Sequence, residues 1–451
     1  WYINKTLSRK EFEKATKELK IFKKLTFFIS ISFTIAQINY SGEVTAKSMN
    51  RISNNSEINL PYRILSFKLG YTLGQLDINT VTGIEYRNNT SKSNYVLREA
   101  YLAYYPEWGE IKLGKQIHAW GSVDGNNPTD NINPYDYYYL FMVGEGRKIG
   151  VISLSSKIYF GNSHLEGIFI PKFEKNRFPY GEEDFPLSIP SKPKIEYPVK
   201  NEFEFGFRFQ TTIGDGDLGL SIFKSNDRAP SVNAANVFWE VEGGSPSLES
   251  LLGFRETLVR GLDFVTFFGD FTVRSELALF KSKTPILNLH IIKSPLSLYE
   301  FQQDISYSQY VIQIEYTTNS DIILSGQLIG NSVQNENYEW YHVTSSELVD
   351  FPYPEFQPGM GNPIAMFSEL ALLLNSTGVL MDDRLELKGN MMINLDEKGN
   401  MFSGSIGYSP WINWKLESTI TKFIGDKDDL ENTFTIMEDF SNITFNIIYN
   451  F

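Results

Sequence analysis

Ile443-Thr444-Phe445-Asn446-Ile447-Ile448-Tyr449-Asn450-Phe451 closes the chain, and it sets Ile443, Phe445, Ile447, Tyr449 and Phe451 on every second position. Side chains alternate between the two faces of a strand, so this segment presents one continuous apolar face that ends on an aromatic ring. A strand with one face in lipid reads this way. The terminal Phe451, with Tyr449, fits the C-terminal signal by which outer-membrane barrels are recognised for assembly, and aromatic rings favour the membrane interface.

The same period-2 pattern recurs upstream. In Glu202-Phe203-Glu204-Phe205-Gly206-Phe207-Arg208-Phe209-Gln210 the four Phe point one way and the charged residues the other. Leu76, Ile78, Ile84 and Tyr86 alternate with Asp77, Asn79 and Glu85; Phe271, Val273, Leu277 and Leu279 with Arg274 and Glu276; Leu385 and Leu387 with Arg384, Glu386 and Lys388. A soluble sandwich would bury the apolar face, whereas a membrane barrel turns it to lipid and keeps charge in a wet lumen. The connections favour the barrel. Short links near 73–74, 106–109, 160–162, 214–217, 268–270, 318–321, 379–382 and 409–411 alternate with long ones at 121–146, 171–200, 226–256, 283–302 and 333–363. Short periplasmic turns and long extracellular loops are the rhythm of an all-β, antiparallel, up-and-down transmembrane barrel. About 18 strands, within 16–18, are expected.

Composition agrees. Of the 451 residues 42% are hydrophobic and 21% charged, yet 15% are aromatic, which suits strands and interfacial girdles. No apolar run long enough for a membrane helix follows the N-terminus. The net charge of −13 argues against nucleic acid as a partner. The absence of cysteine excludes a disulfide framework, thiol catalysis and Cys-ligated zinc. Lys17, Lys20, Lys23 and Lys24 precede an apolar stretch at 25–36, a basic region followed by a hydrophobic one of signal-peptide length, with Ala36 a cleavage point. The expected organisation is therefore an N-terminal extension and signal peptide at 1–36 and a barrel at 37–451, in the bacterial outer membrane.

Around residue 100 a motif stands out. Arg98-Glu99-Ala100-Tyr101-Leu102 leads into Leu113-Gly114-Lys115-Gln116-Ile117-His118-Ala119-Trp120-Gly121, then Asp124, Asp130 and Asn133-Pro134-Tyr135-Asp136. This resembles a Gram-negative outer-membrane porin family of unknown function with an LGRQ…WG…D…NP.D core, and more distantly the alginate-export type of barrel. Lys115 stands where that family has Arg.

The link 121–146 is rich in Asp, Asn and Pro and then in aromatics. Folded into the barrel it would narrow the lumen, because pore diameter and lining groups set selectivity; the alternative is a loop that packs the mouth. Lys115, Gln116, His118, Trp120, Asp124, Asp130, Asn133, Asp136, Tyr137 and Arg147 are the constriction candidates. Asp77, Glu85, Glu99, Glu202, Glu204, Arg208, Arg274, Glu276, Glu315, Arg384, Glu386 and Lys388 are expected to face the lumen, as a selectivity ladder or as paired charges on a hydrated wall. Asp124, Asp130 and Asp136 would be a calcium set, but the spacing lacks the Gly and final Glu of an EF-hand. His118, His164, His290 and His342 have no metal-ligand spacing, and no Gly-x-Ser-x-Gly elbow occurs. No metal or cofactor is expected. The expected function is a porin for small solutes, with a channel for hydrophobic or amphipathic molecules as the nearest rival and a barrel hydrolase or surface adhesin as rivals of another class. The expected partners are outer-membrane lipid and lipopolysaccharide, the barrel-assembly machinery and an unidentified solute.

Overall fold

The computed structural model describes residues 37–142, 144–187, 199–238, 247–285, 297–345 and 353–451. The signal-peptide expectation at 1–36 and His290 lie outside them. The strands are β1 (Gln37–Arg51), β2 (Tyr62–Leu73), β3 (Leu76–Arg87), β4 (Lys92–Tyr104), β5 (Gly109–Gln116), β6 (Val151–Phe160), β7 (Ser163–Ile170), β8 (Glu204–Ile213), β9 (Gly216–Asn226), β10 (Ser231–Phe238), β11 (Ser247–Gly253), β12 (Glu256–Phe268), β13 (Phe271–Lys283), β14 (Ser297–Thr317), β15 (Ile323–Ser345), β16 (Leu370–Leu380), β17 (Leu385–Asn394), β18 (Asn400–Tyr408), β19 (Trp414–Ile424) and β20 (Asn442–Asn450).

Neighbours in sequence pair antiparallel from β1 to β9, β9 then pairs with β12, pairing continues to β20, and β20 closes on β1. The result is a closed ring of 18 strands. Closure matters because an open sheet edge has no hydrogen-bonding partner in lipid. The seam runs from Glu43 opposite Asn450 to Arg51 opposite Asn442, and Gly42 and Phe451 exchange backbone hydrogen bonds of 2.9 and 3.0 Å beyond it. β10 and β11 stand outside the ring as a hairpin, added to β14 through Ala234–Val237.

All eight short links join strands at the end of the barrel where Phe451 lies. Four of them are two-residue hairpins with Gly74, Gly161, Gly214 or Gly269 at φ between 58° and 61° in the first turn position. A left-handed first residue lets so tight a turn match the strand twist, and glycine adopts it without steric cost.

The wall is inverted relative to a soluble protein. Phe205, Phe207, Leu220, Ile222, Leu277, Leu279, Ile312, Ile314, Phe445 and Ile447 are all exposed on its outside. Glu204, Arg208, Asp263, Glu276, Gln313 and Gln327 are buried on its inside. The longest departure from expectation is the β14–β15 hairpin. Residues near 302 and 333–345, read as loop, continue both strands beyond the ring. There β15 includes the polar run Asn335-Glu336-Asn337, while Phe301 of β14 packs against Tyr338 and Trp340 of β15.

Candidate functional site in the barrel lumen

The segment between β5 and β6, of which residues 117–142 and 144–150 are described, occupies the interior. It begins with Ile117, whose N–H donates to Glu99 on β4 at 2.9 Å. Its first turn is fixed by Asn133, which accepts from the His118 N–H and donates to the carbonyls of Gln116 and Ile149. Asp136 caps a short 3₁₀ turn at Tyr137–Tyr139, accepting from the Tyr138 N–H at 3.2 Å. Asp130 and Lys148 form an ion pair buried inside the segment. Arg147 donates to the carbonyl of Gly125 and lies over the ring of Tyr135. The Asp/Asn/Pro composition thus serves to satisfy the backbone of a compact insert, as any buried irregular chain requires.

The insert is tied to the wall on two opposite sides. Glu276 of β13 accepts from the N–H groups of Ser122 (2.6 Å), Val123 (2.8 Å) and Thr129 (3.3 Å), from Asn127 Nδ2 (2.8 Å) and from Thr129 Oγ1 (2.7 Å). Gln313 of β14 and Gln327 of β15 bond to Asp124 and Asn126. Trp120 packs edge-on against Phe223 and donates to Glu166. On the opposite side Arg63 and Arg98 donate to the carbonyls of Gly146 and Glu145, Tyr139 donates to Glu85, and Phe141 meets Phe423 and Phe440. Arg98 and Glu99 both reach inward because a bulge opposite Val81/Thr82 shifts the alternation there.

A cavity of about 810 Å³ remains between the insert and the inner face of β1, β2, β19 and β20. Its lining runs from Ser41 and Asn450 at the short-turn end to Ile58 and Phe185 at the other. The charges along it are Glu43, Lys47, Arg63, Lys68, Arg98 and Glu417; the insert contributes Tyr138, Tyr139, Phe141 and Met142. Leu60 and Phe440 make the far end apolar.

The expected site residues divide into three groups. Glu85, Glu204, Arg208, Arg274, Glu276, Glu315, Glu386 and Lys388 face inward in ion pairs or hydrogen bonds: Glu85 and Asp136 share Arg177, Arg208 holds Asp263, Arg274 lies between Asp124 and Glu315, and Glu386 meets Lys388 and Lys415. Asp77 is half-buried in phase with them on β3. Gln116, His118, Trp120, Asp130, Asn133, Tyr137 and Arg147 are buried within or under the insert and hold it, without lining the cavity. Tyr137 stacks on Phe178 at 4.5 Å. Three expectations are corrected. Lys115 lies opposite the lipid-facing Ile152, so it points out of the barrel. Glu202 is exposed, two residues before β8 begins. Arg384 is exposed in the turn that precedes β17, where alternation no longer assigns a face. The three aspartates of the calcium idea are held apart by three different cations, Arg274, Lys148 and Arg177.

Burial raises the Asp136 carboxyl to about 6, opposed by Arg177 and helped by Glu85. His118 Nε2 lies 2.9 Å from Ser153 Oγ, the spacing of a nucleophile and its base. Burial, with Lys148 adding to it, holds this imidazole down at about 3. Lowered basicity weakens the imidazole as a partner for the hydroxyl, and Ser153 is itself buried.

Sequence reasoning missed a second buried network. Arg228 makes a two-pronged pair with Glu204 at 2.8 and 3.0 Å and donates to the carbonyls of Ile132 and Glu174, joining wall, insert and the β7–β8 link. Arg255 does the same between Asp227, Gln303 and Gln357. Such long-range pairs leave no local pattern in the sequence. Arg228→Ala strands a fully buried carboxylate and is expected to cost about 3–5 kcal/mol, read as a lower urea midpoint for the folded barrel in lipid vesicles.

A closed antiparallel ring with apolar side chains outside and ion pairs inside is built for a bilayer, and single-chain barrels of this kind are the spanning form of outer membranes. The chain is a closed β-barrel of 18 antiparallel strands with a lipid-facing exterior. No protein-family model and no curated protein matches it. Solved structures similar to the barrel include Pseudomonas aeruginosa OccK2 (OpdF) in complex with glucuronate, at TM-score 0.49 and 9% identity over 92% of this chain and 97% of that one. P. aeruginosa OccK8 (OprE) gives 0.49 and 8% over 92% and 98%. In-vitro folded OmpT of Vibrio cholerae gives 0.41 and 8% over 92% and 98%.

Proposed function

We propose that this barrel is a diffusion channel for small solutes, narrowed by the 117–150 insert, with passage along the β1–β2–β19–β20 wall. The observation that carries the proposal is the cavity left there, whose lining extends from Asn450 to Ile58. Its lining holds four cations, Lys47, Arg63, Lys68 and Arg98, against the carboxylates Glu43 and Glu417, so anions are favoured. Elsewhere on the inner wall the cations Arg208, Arg228, Arg274 and Lys388 are each paired with a carboxylate, which leaves the cationic surplus to this passage. A channel, not an enzyme, is the reading that uses this geometry.

The apolar far end, with Ile58, Leu60, Phe141, Met142, Phe185 and Phe440, favours a second version in which the solute is amphipathic, its charged end leading. Phe451 and Tyr449 are the proposed recognition signal for the barrel-assembly machinery; the Phe451 ring stacks on Phe67 at 6.2 Å on the outer face. Solute flux into liposomes carrying the purified barrel tests the proposal. Small organic acids are expected to enter faster than neutral sugars of equal size, and acids with an apolar tail are expected to enter if the second version holds. Equal exclusion of all three classes contradicts both.

A further inference from the structure

Three adjacent strands, β9, β12 and β13, carry exposed cations on their outer face: Lys224, Arg260 and Lys281. Lys224 and Lys281 are both opposite Leu258, and Arg260 is two residues along β12, opposite Ile222 and Leu279. They therefore share the face of the lipid-contacting Ile222, Leu262 and Leu279. All three lie near the ends of their strands remote from the Gly214 and Gly269 turns, so they sit at the extracellular edge of the apolar belt. Among the described residues none of them makes an ion pair or a side-chain hydrogen bond. Lys283, just above, differs, since Glu256 and Asp304 are its cross-strand neighbours.

The chain carries a net charge of −13, so three unpaired cations converging on its lipid-facing surface run against its composition. Cations at the lipid surface of a barrel are costly toward the bilayer centre and tolerated near its interfaces. The interface is also where lipid phosphates lie, and ammonium and guanidinium groups make strong charge-assisted hydrogen bonds to phosphate. Apolar side chains directly below provide a surface for acyl chains.

We propose that Lys224, Arg260 and Lys281 form a binding site for the phosphate of an anionic lipid in the outer leaflet. The proposal needs the barrel to span the membrane but not that it conducts. The test is native mass spectrometry of the intact barrel in non-ionic detergent, titrated with bis-phosphorylated lipid A, its dephosphorylated form and inorganic phosphate. The phosphorylated lipid is expected to bind, and K224Q/R260Q/K281Q to weaken it by about tenfold or more, given the contribution of each cation near an anionic surface. K224R/K281R, which keeps the charge, is expected to bind as the native chain does, and heat-dependent gel mobility reports whether each variant is folded. Folded triple variant binding unchanged, equal binding of the dephosphorylated lipid, or equally tight binding of inorganic phosphate alone each overturns the proposal.

Discussion

Glu276→Ala is expected to raise single-channel conductance severalfold and to expose the 121–146 link to protease while leaving the barrel closed. Glu276 is buried, and its two carboxylate oxygens accept five hydrogen bonds from four residues of the insert. Alanine removes every acceptor and leaves the N–H groups of Ser122 and Val123 unpaired in the interior. Each such group costs about 1–3 kcal/mol, so the tether loses on the order of 3–5 kcal/mol. Gly121 makes the site strict as well. Its φ is 97°, and a side chain there would collide with the same carboxylate. Wall hydrogen bonds of β12 and β14 to β13 do not involve the Glu276 side chain, so the ring persists. Conductance and protease sensitivity both unchanged in a folded E276A barrel would show that the insert is not held by this residue.

The second large effect is on ion selectivity. Lys47→Gln with Lys68→Gln removes two of the four cations along the passage and leaves two against Glu43 and Glu417. Neither lysine bonds to the insert, unlike Arg63 and Arg98, so the insert stays in place. A unit charge about 5 Å from a permeating ion contributes roughly 1–3 kcal/mol at effective dielectric constants of about 20–80. Each lost charge is worth about fivefold at the low end of that range, so the chloride-to-potassium permeability ratio is expected to fall by about tenfold or more, toward unity. The shift is expected to be clear near 0.1 M salt, where charges are felt over about 10 Å, and to fade near 1 M, where the range is about 3 Å. Reversal potentials in a salt gradient measure it. A ratio that is unchanged at 0.1 M places the ion path elsewhere.

Both effects rest on residues of different legibility. Glu276, Glu204, Arg208 and Glu386 could be placed inward from sequence, because membrane strands keep strict alternation and these residues lie within their strands. The Gly-containing hairpins and the terminal strand were legible for the same reason. Lys115 was misread because the motif around it drew attention to its chemistry while its phase, set by Leu113 and Ile152 outside, went unfixed. Arg98 escaped because a bulge breaks the count. Glu202 and Arg384 sit past the strand ends, where a period of two no longer assigns a face. The cavity wall itself was in plain view in β1, where Glu43, Thr45 and Lys47 alternate with Val44 and Ala46. What no local pattern reveals is which wall the insert leaves free. That depends on Glu276, Gln313 and Gln327 on one side and Phe141 on the other, contacts between residues more than a hundred positions apart.

The most direct measurement is conductance of the purified, folded barrel in planar lipid bilayers at 0.1 M potassium chloride. A diffusion channel through the β1–β2–β19–β20 passage predicts discrete unitary steps with a reversal potential displaced toward that of chloride. A folded barrel that inserts, as judged by protease protection, and passes no current would contradict it.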